Sequence, residues 1–281
     1  MRSPANNIAA KWKNVSWTRL EKSQVSVAEA DEKRSLGTKA SELPDMISKR
    51  ILVLANSTKH YPMSCVAGRE LLDEAGGKIR WGGWIRPVSN HDEGALSFGE
   101  RCLAGAADPK PLDVINVPLV AAENSPLQPE NWLIGTGQAW TKESSFDSKV
   151  LSPLVEEPEN LWFDPDQKSD RASAPVLQRL PHFQSLYMIR PEAFQFQIRT
   201  KVWDGYPKKQ QRSLFTHKGR HYDFALTDPL IGKKYFPDYP RTEDGFIQPI
   251  DPSRILICVS LTPPFQGFHY KVIATVFDFQ A

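Results

Sequence analysis

The chain has 281 residues, of which 40% are hydrophobic and 24% charged, and its formal net charge is +2. This composition excludes a disordered chain, and the small net charge excludes a global field that would draw the protein onto nucleic acid or anionic lipid. Any such binding therefore needs a local patch. No apolar run approaches the roughly 20 residues that span a bilayer, so we expect no membrane partner.

The first segment, residues 1–48, is polar and mixed in charge, and it lacks the apolar region of a secretory signal. We expect this leader to be disordered or extended. The three cysteines, Cys65, Cys102 and Cys258, are widely spaced and form no C-x-x-C pair. That spacing favours free thiols in the core of a cytoplasmic protein, with no metal bound.

Strand patterns recur in the next segment, residues 49–150. The patterned stretches are 50–55, 78–89, 113–121 and 130–142. The Gly82–Gly83 pair indicates a bulge or a bend, and Pro118 indicates an edge strand or a strand end. Residues 64–76 predict a short helix that ends at Gly76.

A connector, residues 151–180, is rich in Pro, Asp and Ser and contains a short anchored segment at 161–163. A second group of strand patterns follows in residues 181–281. These patterns cover 185–191, 193–203, a hairpin over 213–229 that turns at Lys218–Gly219, 254–265 and 268–279. Two groups of short strands with little helix predict a mainly β protein with two small barrels or sandwiches.

Catalytic motifs are absent from the sequence. The six histidines form no H-E-x-x-H spacing, no G-x-S-x-G is present, and "LIGKKY" (230–235) lacks the residues of a phosphate-binding loop. The Asp-rich stretch 164–170 lacks the glycine and terminal glutamate of a calcium loop. We therefore predict no cofactor, no metal and no catalytic residue, and we favour a non-enzymatic protein.

Aromatic residues interleaved with cations remain as the chemical feature. On the predicted strand 193–203, Arg199, Lys201 and Trp203 share the polar face, and Lys218 and Arg220 flank the predicted hairpin tip. Such mixtures suit single-stranded DNA or RNA, because bases stack on aromatic rings while cations track phosphates. Trp81 and Trp84 lie near Arg86 in the first group of strands. The alternative is that these two tryptophans belong to the core and that the cations only discourage edge pairing.

The sequence resembles the dual OB-containing domain family of bacterial proteins over about residues 50–281. The blocks that carry the resemblance are "ILVLANSTKHYPMSCVAG", "GGWIRPVS", "DVINVPL", "PENWLI", "FALTDP" and "ICVSLTPPFQGFHYKVIA". The resemblance implies two OB-like barrels and a role in nucleic-acid sensing within antiviral defence or other conflict systems. Under it, "GGWIRPVS" is a barrel strand in which Pro87 holds Arg86 extended and directed outward, unless Arg86 belongs to a buried ion pair.

Three functions are compatible with these features. The first is a nucleic-acid-binding sensor or adaptor that works with an effector protein, and its predicted contacts are Lys59, Arg86, Arg199, Lys201, Trp203, Lys218 and Arg220. The second is an enzyme acting on a nucleotide or modified base, with a pocket formed by "LANSTKH" and Arg86. The third is a scaffold that binds proteins.

Overall fold

The computed structural model describes residues 46–58, 62–181, 183–203 and 205–279, with only the backbone of Asp92 and Trp203. The leader, apart from its last three residues, lies outside these ranges. All described residues belong to one compact unit, Pro44–Ala281. No helix in the described ranges is long and apolar enough to cross a membrane.

The chain is built mainly from strands that form two sheets. The first sheet contains β1 (Ile47–Thr58), β2 (Ser64–Glu74), β3 (Lys78–Val88), β4 (Asp113–Ala122), β5 (Asn131–Ile134) and β6 (Thr141–Ser145). The second contains β7 (Arg171–Ser173), β8 (Leu186–Ile189), β9 (Ala193–Trp203), β10 (Tyr206–His217), β11 (Arg220–Leu226), β12 (Ile247–Ile250), β13 (Ile255–Phe265) and β14 (Phe268–Asp278).

Helices are short and connect the strands. The α-helices are α1 (Phe98–Arg101), α2 (Ala174–Leu177) and α3 (Pro229–Tyr235), and 3-10 turns lie at Asp92–Gly94, Ser148–Leu154 and Pro252–Arg254. Helix α3 begins at Asp228, whose carboxylate accepts hydrogen bonds from the Leu230 and Ile231 amides. This N-cap holds the start of α3 against the end of β11.

The first sheet closes into a five-stranded barrel. Its order is β1-β2-β3-β5-β4, with β4 pairing back onto β1 and with β6 beyond β4. Strands β3 and β5 run parallel, and the other pairs are antiparallel. This is the closed arrangement of an OB barrel.

The second sheet repeats that order without closing in the same way. Strands β9-β10-β11-β14-β13 follow the order of β1-β2-β3-β5-β4, and β11 runs parallel to β14 as β3 does to β5. The free edge of β9 pairs with β12 instead of with β13. The expected mainly β fold with two OB-like units is therefore confirmed.

Three hydrophobic cores lie in the part of the chain that the structure describes. One lies inside each sheet, and the third lies between them, lined by residues of both sheets. Along β1, Ile51 and Val53 face the first barrel while Leu52 and Leu54 face the shared core. Because both faces of β1 are buried, its sequence is a continuous apolar run instead of an alternating one.

The predicted helix over 64–76 is wrong, since these residues form β2. The strand lies between β1 and β3, and Gly68 lets the two backbones approach closely: a Cβ there would meet the Leu52 carbonyl oxygen at 2.0 Å. Gly76 and Gly77 both have positive φ and form the turn into β3 rather than a helix end. Pairing across the barrel therefore overrides the helical pattern of "RELLDEAG".

The predicted glycine bend in β3 is confirmed. Trp81 pairs with Leu71 and Trp84 with Arg69, so Gly82 and Gly83 together oppose one residue of β2. That extra residue is a β-bulge. Pro118, by contrast, does not mark an edge, because β4 pairs with β1, β5 and β6.

The other strand predictions agree with the structure, except that one predicted strand is divided into two. The stretch 130–142 separates into β5 and the start of β6. The connector anchors itself through Leu161 and Trp162, which are fully buried in the core of the second sheet, while Phe163 is exposed. The hairpin turn lies at Lys218–Gly219 as expected, and both residues have positive φ.

Candidate functional site

The polar face predicted for β9 continues onto β10. The two strands pair in antiparallel register, with Trp203 opposite Tyr206 and Lys201 opposite Lys208. Directly opposed residues of an antiparallel pair project from the same face of a sheet. The register therefore places Lys208 and Tyr206 on the same face as the cations predicted on β9. The Tyr206 side chain is 78% exposed.

Positive charge is concentrated in this hairpin. Residues 193–217 contain five Lys and Arg and a single acidic residue. The hairpin of β2 and β3 in the first sheet, residues 64–88, contains four Lys and Arg against three acidic residues. The hairpin therefore carries a surplus of positive charge, which Asp170 and Asp223 from outside it offset in part.

A network of ion pairs holds Arg199, Lys201 and Arg212 on the polar face of the hairpin. The buried Arg212 guanidinium lies between two carboxylates, 2.8 Å from Asp170 and 2.5 Å from Asp223. Arg199 shares Asp223 at 2.5 Å, and Lys201 shares Asp170 at 3.0 Å. Two carboxylates therefore hold three cations, which leaves the network positive.

Asp170 stays ionised within this network. Burial by itself would raise the pKa of Asp170, but the hydrogen bonds and positive charges of Lys201 and Arg212 outweigh it and lower that pKa below its usual value. The carboxylate consequently orients Lys201 at ordinary pH. The Arg199 and Lys201 side chains keep 40% and 34% of their surface exposed.

The predicted contacts Lys218 and Arg220 lie elsewhere. They flank the β10–β11 turn, at the opposite end of β10 from Tyr206. Lys218 follows Lys208 by ten positions, which correspond to about 30 Å along a fully extended strand. The Arg220 guanidinium stacks over the Phe163 ring at 4.4 Å. Lys218 reaches only an exposed carboxylate, that of Glu157, at 3.8 Å.

Arg86 does not point outward, which corrects that expectation. It is only 5% exposed, and its Nη2 donates a hydrogen bond of 3.1 Å to Ser260 on β13. Its backbone amide bonds to the Glu130 carbonyl, because β3 runs beside the start of β5. Arg86 thus lies at the contact of the two sheets, and no described carboxylate forms an ion pair with it.

Lys59 lies outside the described residues. So does His60, which belongs to the pocket of the enzyme alternative. The neighbouring side chains have structural contacts: the Asn56 amide donates to the Pro109 carbonyl at 2.7 Å, and Ser57 is buried. The end of β1 is held against the end of β11 through the Thr58 amide and the Thr227 carbonyl.

Few groups in the described ranges are suited to metal binding or thiol chemistry. No three His, Cys, Asp or Glu residues are grouped there so that they could hold a metal ion. Cys102 and Cys258 are free thiols. Only Cys258 is fully buried, and burial raises the pKa of its thiol. Cys65 and Cys102 are half-buried, so the expectation of three core cysteines is correct for one.

Sequence reasoning missed Tyr206 and Lys208, although a pattern in the sequence marks them. Asp-Gly between two strand-forming runs is typical of a two-residue hairpin loop. Placing that loop at 204–205 sets the register, and "YPKKQQR" then places Lys208, Gln210 and Arg212 on alternate positions beside β9.

Comparison with solved structures finds distant likenesses. A replication protein A heterotrimer bound to single-stranded DNA matches 87% of this chain with 11% identity and a TM-score of 0.32, and this chain spans about half, 52%, of that chain. The tetrameric p202 HIN2 matches 83% with 8% identity and a TM-score of 0.27, covering 95% of that chain. A murine DNA-binding protein bound to double-stranded DNA matches 84% with 8% identity and a TM-score of 0.27, covering all of that chain. Because these TM-scores are below 0.5, they say nothing about what this chain binds.

The search of curated proteins finds no match. The family comparison does find one: the model of the dual OB-containing domain matches residues 49–276, which include every strand from β2 to β13 and nearly all of β1 and β14. The two sheets of the structure agree with the two OB units that the family description names. The chain therefore belongs to the dual OB-containing domain family.

Proposed function

We propose that this protein binds single-stranded nucleic acid along the outer face of the β9–β10 hairpin. The observation that carries the proposal is the strand register, which places Lys201 opposite Lys208 and Trp203 opposite Tyr206. With Arg199 two residues along β9, these residues define the hairpin face. Lys59 stays a predicted contact, and Arg86 is left out because it is buried.

The hairpin face has the chemistry that such a ligand requires. Proteins that bind single strands combine a positive track for phosphates with aromatic rings on which bases stack. Here Arg199, Lys201 and Lys208 supply the cations, and Tyr206 supplies an exposed ring. The strands also correspond to the first two strands of an OB unit, a fold that binds oligonucleotides on its sheet face.

Binding through this face should be modest and sensitive to salt. Three phosphate contacts to a single strand predict a slope of about −2 in a plot of log affinity against log salt. The net charge of +2 adds little long-range attraction. Within a cell, a module of this kind would act as a sensor or adaptor that signals the bound nucleic acid to an effector protein. This role is in keeping with the defence function that the family resemblance implies.

Fluorescence anisotropy with labelled DNA and RNA strands of about 16 nucleotides tests the proposal. We expect salt-sensitive binding by the wild type, and we expect Lys208→Gln to weaken it and to flatten the salt slope by about 0.7. The matched control is Lys78→Gln, which removes an exposed lysine from a strand of the first sheet.

Two results would contradict the proposal. One is the absence of salt-sensitive binding by the wild type at every strand length. The other is an equal loss of affinity in Lys208→Gln and in Lys78→Gln, which would show that total charge and not the hairpin face governs binding. In the first case a protein-binding scaffold becomes the better description.

A further inference from the structure

A cavity of about 310 Å³ lies between the connector and the second sheet, and none of the residues that line it belongs to the hairpin face. The residues of its wall that bear on its chemistry are Phe163, Asp164, Ser169, Arg220, Tyr222 and Lys271. Three of them come from the connector, two from β11 and one from β14.

The cavity arises where two strands separate. β11 and β14 pair in parallel only at Ala225–Val272 and Leu226–Ile273, and before that point β14 pairs with β7 instead. The connector fills the fork with backbone contacts: the Lys271 amide donates to the Asp170 carbonyl, and the Asp223 amide donates to the Ser169 hydroxyl. The connector lies between β11 and β14 where they separate, so the recess there is part of the fold.

Lys271 is the unusual group in this recess. It shares the inward face of β14 with Ile273 and is only 2% exposed. Its ammonium carries three donors, yet no described residue accepts a hydrogen bond from it. Burial lowers the pKa of Lys271 to about 8, although the nearby carboxylates of Asp164 and Asp170 oppose that shift.

Both of those carboxylates are committed to other donors. Asp164 accepts hydrogen bonds at 2.8 Å from the amide and from the hydroxyl of Ser173, and one at 3.1 Å from the Asp166 amide. Asp170 is held by Lys201 and Arg212. The Lys271 ammonium therefore lies on the wall of the cavity with its donors available to a ligand there.

The wall of the cavity offers a second cation and an aromatic ring. Arg220 is exposed and its guanidinium lies 4.4 Å from the centre of the Phe163 ring. Both side chains suit a nucleobase, because nucleobases stack on arginine and on aromatic side chains alike. With Lys271 protonated, two cations line the cavity together with the single carboxylate of Asp164.

We propose that this cavity binds a nucleotide that carries a terminal phosphate. The phosphate oxygens accept hydrogen bonds from the Lys271 ammonium, and the base stacks against the Arg220–Phe163 pair. A volume of about 310 Å³ lies at the lower limit of ligand pockets, which suits one nucleotide and excludes a longer segment of chain. The nucleotide is either free or the end of a strand. The site does not depend on the hairpin face.

Calorimetric titration of the full chain with AMP and UMP, with adenosine and with inorganic phosphate tests the proposal. We expect one nucleotide per chain and at least tenfold weaker binding of both adenosine and inorganic phosphate. Lys271→Met should weaken nucleotide binding at least tenfold, and Arg220→Gln about tenfold. The matched controls are Lys168→Met and Arg179→Gln, exposed residues near the connector that do not line the cavity.

The pH dependence provides a readout that a purely structural lysine would not give. Because the ligand needs the protonated ammonium, affinity should fall above about pH 8 in the wild type. The other ionisable or charged groups that face the cavity or Lys271 are Asp164, Asp170, Arg220, His221 and Tyr222. Arg220→Gln should keep this pH dependence, which makes the test independent of whether Lys271→Met folds.

Oligonucleotides of about ten residues with a 5′-phosphate or a 5′-hydroxyl separate the two sources of the ligand. A gain from the 5′-phosphate that Lys271→Met removes identifies a strand end, and AMP or UMP binding without such a gain identifies a free nucleotide. Two results would overturn the proposal. In one, AMP and UMP bind no better than adenosine. In the other, they bind equally well to the wild type, Lys271→Met and Arg220→Gln. Binding of the 5′-hydroxyl strand reports on the hairpin face alone, so either site can fail without the other.

Discussion

Lys201 and Lys208 lie directly opposite each other on the β9–β10 ladder, so two ammonium groups project from one cross-strand position. Like charges in that position destabilise a sheet. Asp170 lies 3.0 Å from the Lys201 ammonium, whereas no described residue forms an ion pair with Lys208. This arrangement does not stabilise the sheet, but it provides the two neighbouring cations that the proposed contacts with successive phosphates require.

Reversing the charge of Lys208 should therefore separate stability from binding. In Lys208→Glu a cross-strand ion pair with Lys201 replaces the repulsion, so we expect the free energy of unfolding to rise by about 0.2–1 kcal/mol. Affinity for a single strand should fall at least tenfold. Urea denaturation and anisotropy measure the two quantities, and a parallel loss of both would contradict the assignment.

The aromatic pair at the end of the hairpin should contribute by stacking. Tyr206→Ala and Trp203→Ala should each weaken strand binding by about 1–3 kcal/mol if a base stacks at that position, with an unchanged salt slope. Phe98→Ala, which removes an exposed ring from α1 in the first half of the chain, is the control. Anisotropy at two salt concentrations distinguishes this loss from the loss of a phosphate contact, which would change the slope.

Asp170 should be required for stability in a pH-dependent way. Asp170→Asn leaves the buried Arg212 with Asp223 as its only carboxylate, and we expect a cost of about 3 kcal/mol in unfolding free energy. Because the pKa of Asp170 is lowered in the folded state, its contribution is present above the usual value of 3.8 and is lost as the pH falls below it. Urea titrations at pH 7 and pH 3 test this.

The control for that experiment is Asp166→Asn, an exposed carboxylate of the same connector. It should leave stability within about 0.5 kcal/mol of the wild type. A similar loss in both variants would mean that the connector, rather than the charge network, is responsible.

The core between the sheets should make them unfold together. Met188 is fully buried among residues of both sheets, and Met188→Ala should cost about 2–5 kcal/mol. Hydrogen exchange followed by mass spectrometry should show faster exchange in both sheets, to the same extent. Exchange that increases in the second sheet alone would indicate two independent domains. Leu230→Ala, on the exposed side of α3, is the control.

The buried Lys271 should limit stability below pH 8. Its pKa is lowered to about 8 from 10.5, so between these values the unfolded chain binds a proton that the folded chain has lost, and stability rises with pH. Lys271→Met should remove this rise and increase the free energy of unfolding by about 1–2 kcal/mol at pH 7. Urea denaturation at pH 7 and pH 9.5 measures the difference between the two proteins; identical pH profiles would contradict it.

The local patterns of the sequence were sufficient for most strands. Alternation on β9, the Lys218–Gly219 turn and the glycine pair of β3 are determined by neighbouring residues, and the structure agrees with each. The helix predicted over 64–76 failed because a close approach between Gly68 and Leu52 is a contact between strands, which no local pattern contains.

The sequence by itself determined the mainly β class, the two groups of strands and the cations of β9, since all of these depend on local periodicity and composition. The tertiary structure decided which cations act together. It buried Arg86 between the sheets, placed Lys218 at the opposite end of β10 from Lys208, and set Lys201 directly opposite Lys208. It also made Lys271 a buried residue beside a cavity, because the environment of a strand residue depends on which segments pack on that strand and not on its own neighbours in sequence.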